Sequence, residues 1–506
     1  MLQPSTAVQT SPLTSSYCSL RHAPPPPTHT SRWPAFFRYN VVQRTLSAAV
    51  LAPSLTVFLW LSPAIATSTV CSFMTSTCSY EYACLANRIR LRILTKLEAL
   101  ECSLLNEAKM CDVSPKIGHR ESERDALSVT NSNSFTNHTV TDPNLDPSEV
   151  RRVVGGRLSD DDRTIPTRRT ATRLFREEQE ARELAQVNTE LLPQAPRLQR
   201  CAITDVAAYA LKGHEWVAAV IVSALMCSVS SSIFLLAIQD MPVLNTTDFY
   251  ASRGFYTVAT GFVAAMCACM SPDWQYAVVI FVQNGIFTIL TLHSTACPIN
   301  VLSCHMAIKP AQIVLAGMVI FLVFRFATSR NRAEAFLTFA LDVVGLIYII
   351  GTLSVLVAFV DDERRPLYRK LLIALLYVVW ASDTGAYLTG KLLALVNYPY
   401  YHPLAAHLSK NKDYEGTVGA IGFGIVAMVV TSNQLELPGS FGAKVLFTVV
   451  AVIIGRIGDL FESLLKRAAG VKDSGTLIPG HGGVLDRIDA LMFATLVFSR
   501  YYASVL

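Results

Sequence analysis

Charged residues are scarce in this 506-residue chain. Asp, Glu, Lys and Arg make up 16% of it and hydrophobic residues 51%, whereas soluble proteins carry about a quarter charged residues. The deficit indicates that much of the surface does not face water. The net charge of +5 is small for this length, and no basic stripe interleaved with aromatic residues occurs. Nucleic acid is therefore not an expected partner.

Two kinds of chemistry are excluded by missing motifs. None of the 12 cysteines comes after Cys304, and no pair of Cys/His clusters has the spacing of a zinc site. No GxxxxGK[ST] loop is present, which excludes a Walker-type nucleotidase. Function is therefore expected from other residue types.

Acidic residues are also absent before Glu81. The first 47 residues are rich in Ser, Thr and Pro with scattered Arg, a composition typical of an organelle transit segment or of a disordered extension. The apolar run Ala48–Ile65 is interrupted by two prolines. We expect residues 1–85 to be a targeting-like segment with one weak apolar run, and residues 86–214 to be polar and largely disordered with short helices.

From residue 215 the chain becomes apolar, and we expect a membrane-embedded domain over residues 215–506. A bilayer needs about 20 residues of helix, and the last three of the apolar runs are short or broken. The predicted fold is an all-α, polytopic membrane helix bundle of about eight or nine transmembrane helices, with a mostly disordered N-terminal extension. The nine runs are Val217–Ile238, Phe255–Met270, Trp274–Leu292, Ala311–Ala327, Phe336–Val360, Leu371–Leu395, Gly416–Val430, Val445–Ile454 and Ala490–Leu506.

Small residues share one face of a predicted helix, where Gly416, Ala420 and Gly424 recur every four residues. Such a face lets helices approach closely in lipid. It favours tight packing within the bundle and is compatible with a homodimer.

A dense polar block lies between apolar runs at Arg456–Asp489. A solvated loop of balanced charge is the ordinary interpretation, but three features favour a site. Acidic and basic residues recur at i, i+4; Asp486 and Asp489, three apart at a helix start, suit a divalent cation; and the Gly480–Gly483 turn can direct N–H groups at an anion. These parts indicate metal-dependent phosphoryl or nucleotidyl transfer at a membrane surface.

The stretch SLLKRAAGVKDSGTLIPGHGGVLDRID, preceded by Gly458-Asp459-Leu460-Phe461-Glu462, resembles the signature of phosphatidate cytidylyltransferases. Two further segments are similar to that family. Ser382–Tyr387, followed by Gly390-Lys391, resembles its Asp-Thr-Gly-Ala-Tyr segment. Ser409–Gly416 departs from its Ser-Pro-Lys-Lys-Thr-x-Glu-Gly pattern, because the chain reads Ser-Lys-Asn-Lys-Asp-Tyr-Glu-Gly and has Asp413 where the family has Thr.

The resemblance implies that a phosphatidate oxygen attacks the α-phosphorus of CTP, forming CDP-diacylglycerol and releasing pyrophosphate. It implies Mg²⁺, with a second cation as an option, and substrates that are CTP and phosphatidate within membrane lipid. The implied metal ligands are Asp459, Asp486, Asp489 and, more weakly, Asp473. The implied catalytic residues are Lys466, Arg467, Lys472, His481 and Arg487, where His481 either binds phosphate or only shapes its turn. The implied substrate-binding residues are Ser463, Asp383, Lys412, Glu415, Gly482 and Gly483.

Other functions stay open at this point. A CTP-dependent polyprenol or phytol kinase is the alternative, whereas a CDP-alcohol phosphotransferase lacks its Asp-Gly-x-x-Ala-Arg pattern here. A transporter using Asp342 and Asp383 would leave the polar block unexplained. The transit-like start favours an inner membrane of a plastid or mitochondrion, with the endoplasmic reticulum as the alternative.

Overall fold

The computed structural model describes most of the apolar part of the chain and two segments before it. The described residues are 53–61, 64–112, 168–239, 248–296, 309–329, 331–358, 366–396, 398–400, 402–475, 477 and 482–505. The transit-like first 47 residues lie outside these ranges, as do residues 113–167 of the stretch expected to be largely disordered.

The described chain is almost entirely helical. Its helices are α1 (residues 53–61), α2 (Ala64–Asp112), α3 (Arg168–Glu190), α4 (Ala195–Leu198), α5 (Thr204–Ala210), α6 (Glu215–Ile238), α7 (Asp248–Cys269), α8 (Trp274–Ala296), α9 (Pro310–Thr328), α10 (Arg332–Gly345), α11 (Thr352–Ala358), α12 (Pro366–Leu395), α13 (Tyr414–Leu435), α14 (Phe441–Ala469) and α15 (Leu485–Val505). A 3₁₀ turn, Leu192–Gln194, precedes α4, and a π-helical segment, Leu346–Gly351, joins α10 to α11. Strands β1 (Pro403–Ala405) and β2 (Ser409–Asp413) form an antiparallel hairpin.

The described residues of the nine apolar runs are helical, apart from Met270 just after α7, so the predicted helix bundle is confirmed. Seven of the described helices are long and apolar enough to cross a bilayer, judged by length and composition: α6, α8, α9, the continuous α10–α11, α12, α13 and α14. The runs in α7 and α15 are helical and packed in the same bundle, but fall outside that group of seven. The fold is a polytopic membrane helix bundle.

Helix α2 is central to the bundle. Its residues Cys78, Tyr82 and Leu85 are buried at helical spacing in the main hydrophobic core, and the helix packs against α7, α8, α10, α14 and α15. The start of the region expected to hold only short helices is therefore the second half of a 49-residue helix. This helix runs across the boundary placed after residue 85, whereas the division of the chain into three regions stays a prediction.

The small-residue face of α13 is buried, as expected for tight packing. Gly416, Ala420 and Gly424 are all buried, and a Cβ at Gly424 would lie 3.0 Å from a Val452 methyl group on α14. The face packs against helices of its own chain, so it is not available to a second copy. The predicted homodimer has no support from this face.

A buried ion pair joins α9 to α10. Arg325 and Asp342 are 0% and 3% exposed, with Nε–Oδ2 and Nη2–Oδ1 distances of 2.6 and 3.0 Å. Arg325 Nη1 also donates to Gln275 Oε1 at 2.7 Å. This pairing accounts for the intramembrane Asp342 without any role in transport.

We expect Asp342→Asn to destabilise the protein by about 3–5 kcal/mol, because Arg325 would remain buried without its counter-charge. The measurement is the thermal unfolding midpoint in detergent, and the control is Asp205→Asn, which changes an exposed carboxylate on α5. Activity per folded molecule should be unchanged. An unaltered midpoint would show that the pair carries no stability.

Candidate active site

The polar block is divided between two helices that pack closely. Residues 456–469 end α14, and α15 begins at Leu485. A Cβ on Gly458 would lie 2.8 Å from the Asp489 carbonyl oxygen and 2.6 Å from the Phe493 ring. Glycine at this position therefore lets the two helices bring their acidic residues together.

Three carboxylates form a cluster between these helices. One oxygen each from Asp459, Glu462 and Asp489 lies within 4.8 Å of the others. Glu462 is 1% exposed, and its Oε1 has no hydrogen-bond partner among the described residues. A buried, unpaired carboxylate oxygen is costly. The oxygen donors and the unpaired atom fit a hard divalent cation such as Mg²⁺.

Lys466 joins this cluster to the start of α15. Its Nζ lies 2.6 Å from Glu462 Oε2 and 2.8 Å from Asp486 Oδ1. Asp486 Oδ2 also accepts hydrogen bonds from the backbone N–H groups of Ser474, at 3.1 Å, and Gly483, at 3.0 Å. Asp486 is thus engaged by Lys466 and the loop, outside the three-carboxylate group. Its predicted role as a metal ligand stays a prediction.

The hairpin supplies a second lysine from the other side. Lys412 Nζ lies 2.5 Å from Asp459 Oδ1 and donates to Ser463 Oγ at 3.0 Å. Burial lowers the pKa of Lys412, while the neighbouring Asp459 opposes that effect. Lys412 is placed by Asp413, whose carboxylate caps α13 by accepting from the Gly416 N–H at 2.9 Å. The family pattern has Thr at the position of Asp413. Because Thr and Asp are both good N-cap residues, this difference preserves the N-cap of α13.

Arg456 extends the network to α12. Its Nη1 lies 3.7 Å from Asp459 Oδ2 and 4.0 Å from Asp383 Oδ1. Asp383 and Arg456 line a small open cleft between α12, α14 and α15. Its remaining walls are mainly apolar, formed by Val378, Val379, Ala451, Val452, Ala490 and Ala494.

The network as a whole is acidic. Five carboxylates surround three basic side chains, which leaves negative charge for a bound cation to balance. Its members are Asp383, Asp459, Glu462, Asp486 and Asp489 with Lys412, Arg456 and Lys466.

Other residues implied by the resemblance lie away from this network. Arg467 contacts Glu180 of α3 and donates to the carbonyl oxygens of Leu408 and Val471 at 3.4 and 3.2 Å. Glu415 pairs with His402 Nδ1 at 2.7 Å. The roles implied for the remaining residues stay predictions. Lys472, Asp473 and Arg487 are exposed, Gly482 has a positive φ of 85°, and His481 lies outside the described residues.

The glycine turn has a different partner from the one expected. The Gly483 N–H is directed at the Asp486 carboxylate, an anion of the protein itself. Direct phosphate binding by Gly482 and Gly483 therefore stays a prediction.

Sequence reasoning missed three residues of the network and its surroundings. Glu462 and Arg456 each lie three positions from Asp459, a spacing that places them on the same helix face. Glu81 accepts hydrogen bonds from the backbone at Val484 and Leu485. In the sequence, Glu81 could have been recognised as a lone carboxylate among apolar residues that recur at helical spacing.

Comparison with known proteins agrees with this architecture. The family model described as "Cytidylyltransferase family" matches residues 207–505. Proteins named phosphatidate cytidylyltransferase are similar: that of Staphylococcus epidermidis (strain RP62A) is 35% identical over 184 residues, which are 36% of this chain and 66% of that protein. That of Haemophilus influenzae is 37% identical over 164 residues, which are 31% of this chain and 54% of that protein.

A third relative, from Staphylococcus saprophyticus, is 32% identical over 210 residues, covering 41% of this chain and 73% of that protein. The chain spans just under two thirds of the first relative's length and about half of the second's.

Proposed function

Because the chain belongs to the cytidylyltransferase family, we propose that it transfers the cytidylyl group of CTP to phosphatidate. The products are CDP-diacylglycerol and pyrophosphate, and the reaction serves phospholipid biosynthesis. The observation that carries this proposal is the carboxylate cluster of α14 and α15, flanked by Lys412 and Lys466, inside a membrane helix bundle.

The chemistry joins two polyanions, so the protein has to position them and supply positive charge. A phosphatidate oxygen forms a bond to the α-phosphorus of CTP as the bond to the pyrophosphate oxygen breaks. The nucleophile is already an anion, and no covalent enzyme intermediate is needed. Lys412 and Lys466 are placed to stabilise charge on the phosphates.

Asp459, Glu462 and Asp489 would hold Mg²⁺, which neutralises phosphate oxygens when bound. This assignment replaces Asp486 with Glu462 in the set expected from sequence. The replacement rests on distance, since Asp486 is directed towards Lys466 and two backbone N–H groups.

We place the head group of the lipid substrate at the cleft beside Asp383 and Arg456. Its apolar walls can lie along the glycerol and the first acyl carbons, while Arg456 faces the phosphate. The acyl chains would then stay in the bilayer, next to the apolar surfaces of α12 and α14.

The test is a product assay on detergent-solubilised protein with CTP labelled at the α-phosphate, phosphatidate and MgCl₂. We expect label in the organic phase as CDP-diacylglycerol, with one pyrophosphate released per lipid labelled. Asp486→Asn should lose both signals, because Lys466 and the loop would lose their shared partner.

The same assay separates the alternative. A CTP-dependent kinase would release labelled CDP and phosphorylate an added polyprenol, and no label would enter lipid. Folded protein that yields this result, or no product at all, would refute the cytidylyltransferase proposal.

We also assign the protein to an organelle inner membrane, plastid or mitochondrial, on the acid-poor, Arg- and Ser-containing start of the chain. A fluorescent fusion to the C-terminus tests this assignment. Fluorescence in the endoplasmic reticulum would contradict it.

A further inference from the structure

Glu81 is a buried carboxylate that the proposed reaction does not use directly. It lies on α2, is 1% exposed, and precedes the family match that begins at residue 207. Burial of a carboxylate is costly unless the charge is hydrogen-bonded. Its hydrogen bonds therefore indicate what it does.

These three hydrogen bonds come from the loop between α14 and α15 and from the first residue of α15. Oε1 accepts from the Val484 N–H at 3.0 Å, and Oε2 accepts from the Leu485 N–H at 2.8 Å and from Ser474 Oγ at 3.3 Å. Ser474 lies before the glycine turn and Val484 after it. One carboxylate from α2 thus joins the two ends of the loop.

Two glycines make room for this carboxylate. A Cβ on Gly475 would lie 2.6 Å from Glu81 Oε1, and one on Gly483 would lie 2.7 Å from Oε2, both closer than real Cβ atoms approach. A Cβ at position 483 would approach Ser474 Oγ even more closely than Glu81, so glycine in this chain accommodates both side chains.

The base of the loop is held from both sides. Glu81 holds it from α2, and Asp486 holds it from α15 through the N–H groups of Ser474 and Gly483. The N–H groups of Val484 and Leu485 are at the N-terminus of α15, where the helix dipole favours a negative charge. Burial raises the pKa of Glu81, and these backbone hydrogen bonds oppose that effect.

We infer that Glu81 is a positioning residue: by holding the loop ends and the start of α15, it sets the positions of Asp486 and Asp489. This inference rests on the proposed cytidylyl transfer. It makes a helix outside the matched family region a working part of the active site.

The test compares full-length wild type with Glu81→Gln. The Gln side chain keeps the shape but has one acceptor oxygen, so one backbone N–H loses its partner. We expect kcat to fall about 10- to 100-fold, the usual effect of losing a group that orients a catalytic one, with a much smaller change in the KM for CTP. Hydrogen exchange at Val484 and Leu485 should accelerate.

The matched control is Glu98→Gln, an exposed carboxylate on the same helix, which should leave kcat and exchange unchanged. A purely structural role for Glu81 would lower the yield or the unfolding midpoint while kcat per folded molecule stayed at the wild-type value. That result would overturn the inference.

A double-mutant cycle tests the steric contact. Gly475→Ala should lower kcat strongly when Glu81 is present and much less in a Glu81→Ala background, because the clash disappears. Equal effects in both backgrounds would contradict the contact. A wild type without cytidylyltransferase activity would refute the proposed function, whereas an active wild type matched by Glu81→Gln would refute this inference alone.

Discussion

Asp489→Asn is expected to reduce kcat by about 100-fold or more, the scale associated with losing a group that stabilises transition-state charge. Asp489 is buried, and its carboxylate lies within 4.8 Å of those of Asp459 and Glu462. The amide has the same shape but no charge, so the cluster would hold a divalent cation less tightly. The MgCl₂ concentration for half-maximal rate should therefore rise.

Initial rates over a MgCl₂ titration measure this effect, and Mn²⁺ binding followed by electron paramagnetic resonance measures affinity without turnover. Glu462→Gln should behave in the same way, since Glu462 belongs to the same cluster, and Asp205→Asn should behave as wild type. Wild-type metal dependence in both cluster variants would show that these carboxylates do not bind the metal.

Lys466→Met is expected to lower both stability and activity. Lys466 is 13% exposed and lies between Glu462 and Asp486. Without Lys466, two carboxylates would face each other in a buried site with no positive charge between them. Breaking one buried ion pair lowers the free energy of unfolding by about 3–5 kcal/mol. The variant would also lose positive charge near the phosphates, so kcat should fall by about 100-fold or more.

The unfolding midpoint in detergent measures the effect on stability, and the rate per folded molecule measures the effect on activity. Lys96→Met is the matched control, because Lys96 is 56% exposed and pairs only at 3.4 Å with Glu190; such surface pairs contribute about 0–1 kcal/mol. A Lys466→Met variant as stable and active as this control would show that the buried lysine is dispensable.

Local pattern was enough to predict the helices. In lipid a backbone segment must satisfy its own hydrogen bonds, so an apolar run becomes a helix, and this holds even for the three short or broken runs. The helices expected within residues 86–214 include α3, Arg168–Glu190. The α13 face of small residues packs as its spacing indicated.

Local pattern failed where partners are distant in sequence. Glu81 lies about four hundred positions from Val484 and Leu485, which its side chain contacts, and no period or motif near residue 81 refers to that loop. The expected homodimer has no support from the small-residue face, because that face packs against other helices of the same chain.

The sequence by itself determined the membrane helix bundle, the family resemblance and the segment proposed to carry the chemistry, because hydropathy and dense motifs are local properties. Tertiary structure decided which carboxylates cluster between α14 and α15, that Asp486 faces Lys466, and that α2 enters the core and contacts the loop. These outcomes depend on distances between side chains from separate helices. Such distances are set by packing, which the order of residues along one helix does not contain.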